Sequence, residues 1–76
     1  MKINVLVFGQ FRDLIGEQLS IEDMQDTDAL VLFLHEKYPA LLEQKYMLAV
    51  DKTLVVKNIP LTNESMVALM PAFSGG

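Results

Sequence analysis

The chain has 76 residues, with 10 acidic and 6 basic side chains, a formal net charge of −4, one histidine and no cysteine. That length fits one small domain, stabilised by an efficient core, a partner, or both. Disulfides are excluded. A zinc or iron–sulfur centre is nearly so, and the acidic balance argues against nucleic acid, whose phosphates need a surplus of Lys and Arg.

Apolar residues make up 51% of the chain, enough for a packed core. No apolar run approaches the ~20 residues that span a bilayer, so no membrane segment is expected. Ile3–Phe8 is too short for a signal-peptide core and no small-residue cleavage site follows it. The expectation is a soluble cytoplasmic protein.

Residues 2–8, Lys-Ile-Asn-Val-Leu-Val-Phe, are β-branched and apolar with no breaker, and read as a strand. Phe11–Ile15 suits a single helical turn before the breaker Gly16. Gln18–Glu22 alternates, with Leu19 and Ile21 on one side, and reads as a second strand. Asp26-Thr27-Asp28 supplies an N-cap and acidic charge at a helix start. Leu30, Val31, Phe33, Leu34, Tyr38 and Leu41 follow at helical spacing, and Pro39 ends the helix near Lys37 or Tyr38. Ala40–Gln44 suits a further short turn. Met47–Val50 and Thr53–Val56 read as strands around the turn Asp51-Lys52, and Met66–Met70 as the last strand. Asn63-Glu64-Ser65 matches a glycosylation sequon but reads as a turn. His35 falls in the helix pattern and reads as a surface or edge residue rather than a catalyst. Glu22-Asp23 and Asp26-Thr27-Asp28 lack the Gly and distal Glu of a calcium loop.

The order β-β-α-β-β-β is that of an α+β, β-grasp (ubiquitin-like) fold, a mixed sheet with one main helix across one face. A single helix leaves the other face open. If Ile3, Val5 and Val7 face the helix, Leu6 and Phe8 face away; if Val67 and Leu69 do, Met66, Ala68 and Met70 face away. Some of Phe8, Leu54 and Met70 then form an apolar patch. Loops fold over it, it is ordinary apolar surface for a small protein, or it is a protein interface.

The segment Pro71-Ala72-Phe73-Ser74-Gly75-Gly76 reads as an extended tail (71–76) on a β-grasp domain (1–70). Gly averages ~7% of residues, so two terminal glycines arise by chance in roughly 1 of 200 proteins. A frayed end or a cloning scar accounts for such glycines. A second reading rests on chemistry. Without a Cβ the backbone enters a narrow channel, and its carboxylate can be activated as an acyl-adenylate. Six extended residues reach ~20 Å, long enough to enter another protein's active site. A chain without thiols carries no persulfide, so any sulfur it carried would sit on the terminal carboxyl.

Val7-Phe8-Gly9-Gln10-Phe11-Arg12-Asp13-Leu14-Ile15-Gly16 and Met70-Pro71-Ala72-Phe73-Ser74-Gly75-Gly76, with Leu48–Val55 and Pro60-Leu61-Thr62 between them, resemble the small subunits of molybdopterin synthase, the MoaD type of the MoaD/ThiS sulfur-carrier family. The resemblance spans the chain. It departs from the family pattern at Asn63-Glu64, where a Gly-Asp pair is usual, at Ala72 for a second Pro and at Asp51 for Asn. It implies that an ATP-using activating enzyme adenylates Gly76, which then becomes a thiocarboxylate. The tail enters the large synthase subunit, in an expected heterotetramer, and delivers sulfur to cyclic pyranopterin monophosphate. Gly75 would give clearance; Ser74, Phe73, Ala72 and Pro71 would line the channel; Phe8, Leu54 and Met70 would meet the partner. Arg12 matches a charged contact there; its alternative is a solvated residue paired with Asp13. No permanently bound cofactor, no metal and no independent active site are implied. Rival readings are the sulfur carrier of thiamin thiazole synthesis, a ubiquitin-like modifier of lysines, and a plain binding module.

Overall fold

The computed structural model describes residues 2–72. Five strands and two helices alternate as β1 (Lys2–Val7), α1 (Phe11–Ile15), β2 (Gln18–Glu22), α2 (Thr27–Lys37), β3 (Tyr46–Val50), β4 (Thr53–Leu54) and β5 (Met66–Pro71). A 3-10 turn, Pro39–Glu43, follows α2. The sheet order is β2-β1-β5-β3-β4. β1 and β5 pair in parallel, and every other pair is antiparallel.

Strand parity sets the core. Ile3, Val5 and Val7 of β1 are buried, as are Val67 and Leu69 of β5 and Leu48 and Val50 of β3. Leu30 and Leu34 of α2, Leu41 of the 3-10 turn, Phe11 of α1, Ile21 of β2 and Leu61 complete the cluster. Leu32, absent from the helical stripe, is 64% exposed on the far side of α2. Pro39 ends α2 at Lys37, because the residue before a proline leaves the helical region.

Asp26 caps α2, its carboxylate accepting from the backbone N–H of Ala29 at 2.9 Å. Asn58 Nδ2 donates to the same carboxylate at 3.2 Å. These two bonds, the Ala29 one first, hold the carboxyl below the usual carboxylate range, against a smaller upward push from burial. A depressed pKa in the folded state stabilises the fold above the ordinary value of 3.8 and loses that contribution as pH falls through the folded value. Asp26→Asn keeps a capping oxygen and removes the charge. Its thermal midpoint should therefore fall less steeply than the parent's as pH drops below 3.8 in a melting series. Parallel profiles would contradict this account.

The β3–β4 hairpin turns on Asp51 and Lys52, with φ of 49° and 72°. Positive φ at both central residues is the type I′ turn, which fits strand twist and favours Gly at the second position. Asp51 is held on both sides: its N–H donates to Met66 O at 2.8 Å and its carboxylate accepts from Met66 N at 3.0 Å. Lys52→Gly should raise stability by about 0.5 kcal/mol, relief of left-handed strain slightly exceeding glycine's added unfolded-state entropy. Chemical denaturation measures this, and a lower midpoint would refute it.

β4 stops at Leu54, two residues before the expected Val56. The reason lies at the start of α2. Val55 N still donates to Leu48 O, but beyond it Thr27 binds Ile59 through N to O and Ile59 N to Oγ1, both at 2.9 Å. Leu61 N donates to Gln25 O as well. These bonds draw the segment off the sheet edge and leave Val56 exposed. The expected turn at Asn63-Glu64 is present, closed by Ser65 N to Thr62 O.

Candidate functional site

The face of the sheet opposite α2 carries the side chains of the other parity. Register aligns them in rows across the strands. Leu6 lies beside Ala68, Ala68 beside Ala49, and Ala49 beside Leu54, a row over four strands that is about 15 Å wide. Met70 lies beside Met47 in the next row. Phe8, whose N–H donates to Leu69 O at 2.9 Å, extends that row at the end of β1. Phe8 is 47% exposed, Leu54 51% and Met66 55%, while Met47 and Met70 are half-buried. At the opposite margin Ser20 Oγ donates to Asn4 Oδ1 and the surface turns polar.

Phe8, Leu54 and Met70 thus share one open face. Arg12 joins it at the Phe8 end, where Leu6, Phe8, Arg12, Glu17 and Gln18 line a groove of about 380 Å³. Sequence reasoning missed Met47, and Ala49, which is buried within the row. The signal was present: once Leu48 and Val50 are assigned to the core, parity sends their neighbours to the open side.

Strand β5 runs one residue past its expected end, with Pro71 opposite Tyr46. Ala72 N then donates to Lys45 O at 3.3 Å. Gly9, at φ +65°, lies against Pro71 so closely that a Cβ there would come 2.7 Å from the ring's Cγ. The loop after β1 therefore sets where the chain leaves the sheet. Phe73, Ser74, Gly75 and Gly76 lie outside the described residues.

His35 sits on the helix side, its Nε2 2.6 Å from the Tyr46 hydroxyl. Burial raises the Tyr46 phenol above its ordinary value. The Tyr46 ring also meets Phe11 edge-on. These contacts give His35 a packing role. Among the described residues no group of three or more His, Asp or Glu is placed to hold a metal ion. No helix among them is long and apolar enough to cross a membrane. The arrangement is suited to docking through an apolar face.

The chain matches in full, at 28% identity and a TM-score of 0.77, a chain of the complex of subunits 1 and 2 of the molybdopterin-converting factor from Helicobacter pylori, itself covered in full. SAMP1 from Haloferax volcanii matches over the whole of both chains with a TM-score of 0.78, but at 15% identity this likeness concerns the fold alone. No curated protein sequence gives a match. The model of the ThiS family matches residues 5–76. With that match covering nearly its whole length, the chain belongs to the ThiS family, the ThiS/MoaD sulfur carriers with a ubiquitin-like β-grasp fold.

Proposed function

We propose that this chain is the sulfur-carrier small subunit of molybdopterin synthase. The observation that carries the reading is the open apolar face of Phe8, Leu54, Met66 and Met70, which adjoins the end of β5 where the tail begins. A partner that buries this face receives the tail at a fixed place. The Helicobacter pylori likeness supports a large subunit as that partner, since its structure is a complex of two subunits. Phe8, Leu54 and Met70 supply the apolar contact and Arg12 a charged one at its margin. Pro71, Ala72, Phe73 and Ser74 line the partner's channel, and Gly75 gives clearance.

The chemistry belongs to the carboxyl of Gly76. An activating enzyme uses ATP to form the acyl-adenylate and releases pyrophosphate. A sulfur-transfer system then displaces AMP to leave the thiocarboxylate. The chain has no cysteine and so no thiol of its own to carry a persulfide. The large subunit performs the pterin chemistry on cyclic pyranopterin monophosphate, and this chain supplies the sulfur in the cytoplasm. Arg12 and Phe8 act in docking, and no resident cofactor takes part.

Intact-mass measurement of the protein from cells with a working sulfur pathway tests this. One oxygen should be replaced by sulfur, and fragmentation should place the change at Gly76. An unmodified carboxyl in such cells would overturn the proposal. The family match bears equally on the sister carrier of thiamin thiazole synthesis. Gene deletion separates the two: loss of molybdoenzyme activity supports the synthase subunit, and thiamin auxotrophy supports the sister carrier.

A further inference from the structure

A groove of about 300 Å³ lies at the end of the molecule where β5 leaves the sheet. Gln10, Phe11 and Leu14 form one wall, and Ala40 and Gln44, beside the 3-10 turn, form the other. Phe11 is buried and Leu14 is 40% exposed. Gln10 Nε2 donates to Gln44 Oε1 at 3.2 Å and joins the two walls.

Strand register says which side chain meets this groove. Tyr46 lies opposite Pro71, and the bond from Ala72 N to Lys45 O carries the ladder one pair further. The next pair is Gln44 with Phe73, the first residue beyond those described. Gln44 has extended backbone, at φ −109° and ψ 151°. In an antiparallel ladder a hydrogen-bonded pair is followed by a pair without backbone bonds, whose side chains stand closer together. The Gln44 N–H suits such a pair, since it donates to Leu41 O at 3.1 Å instead. Parity then fixes the side. Val67 and Leu69 point to the helix layer, and Phe73 shares their parity. One row earlier, Phe11 already meets the Tyr46 ring edge-on.

We propose that this groove is the seat of Phe73 in the free chain, and that docking on a partner draws the ring out. Phe73 follows Pro71 by two residues, about 6.6 Å of strand, so no loop intervenes. Seated, the ring sheds water against Phe11, Leu14 and Ala40. Ser74, Gly75 and Gly76 bring no apolar side chain after it, so the seat holds a single ring. The seat follows from register and groove; only the release on docking rests on the function proposed above. A seated ring keeps the tail on its own domain. Only the unseated fraction can then enter a partner's channel, and the apparent affinity falls by that fraction.

The test begins with NMR of the isotope-labelled full chain. Phe73 ring protons should show nuclear Overhauser contacts to the methyl groups of Leu14 and Ala40. Leu14→Gln keeps the length of the side chain, removes the apolar wall and should abolish those contacts. The chain has no tryptophan, so Phe73→Trp adds a single fluorophore. Acrylamide should quench it severalfold less than it quenches the same tryptophan in the Leu14→Gln background. Calorimetry with the large subunit of molybdopterin synthase should show Leu14→Gln binding severalfold tighter than the parent. Absence of the Overhauser contacts, or equal quenching in the two backgrounds, would overturn the seat. Equal affinity of Leu14→Gln and the parent would overturn the release. Failure of the parent to bind the large subunit would overturn the docking reading, while the Overhauser contacts would still uphold the seat.

Discussion

Deletion of Gly76 is expected to abolish sulfur loading while leaving the thermal midpoint unchanged. The shortened chain still ends in a glycine carboxylate, so its chemistry is intact and only its reach differs. One residue of extended chain is about 3.5 Å. Misplacement of a reacting atom by about 1 Å already costs on the order of a hundredfold in rate. Among the described residues, the largest fully buried side chains all lie between Ile3 and Leu69, so the core that holds stability is built there. ATP–pyrophosphate exchange with the activating enzyme measures the first step, and intact mass measures loading. Gly76→Ala keeps the reach and adds a Cβ, so its loss should be smaller than that of the deletion. Undiminished loading of the deleted chain, on its new Gly75 carboxylate, would show that the reach of the tail does not govern loading.

The parts of this molecule readable from sequence are those fixed by local periodicity. Alternation in Lys2–Val7 and Met66–Met70 sorted Ile3, Val5, Val7, Val67 and Leu69 to the core and Leu6, Phe8, Met66 and Met70 to the open side, as found. Asp26 as a cap and Pro39 as a helix stop are local effects too, and both hold. What sequence reading misplaced depends on distant partners. Thr53–Val56 has the composition of a strand throughout, but Thr27 binds Ile59 and draws the chain away after Val55. Met47 stands beside Met70 on the open face because β3 lies beside β5, an adjacency that periodicity does not encode. The close approach of Gly9 to Pro71 is of the same kind, 62 positions apart in the chain and adjacent only because β1 and β5 run in parallel.

That contact carries the second large effect, which a comparison of two glycines isolates. Gly9 and Gly16 both have positive φ, +65° and +109°, so alanine at either position strains the backbone. Space separates them. A Cβ at Gly16 meets nothing within 4 Å, whereas a Cβ at Gly9 meets Pro71 Cγ at 2.7 Å and Cδ at 3.1 Å. The proline ring is stiff and belongs to the last pair of β5, so the strand end or the loop must move. Gly9→Ala should lose about 2–3 kcal/mol in chemical denaturation, strain and overlap together. Gly16→Ala, at φ 109° and ψ 178° in a region essentially confined to glycine, should lose about 1–3 kcal/mol from strain alone. The tail base moves only in Gly9→Ala. Sulfur loading per folded molecule should therefore drop at least severalfold in that variant and stay at the parent's level in Gly16→Ala. Measured at a temperature where both variants are folded, equal loading by the two would show that Pro71 does not set the direction in which the tail leaves the sheet.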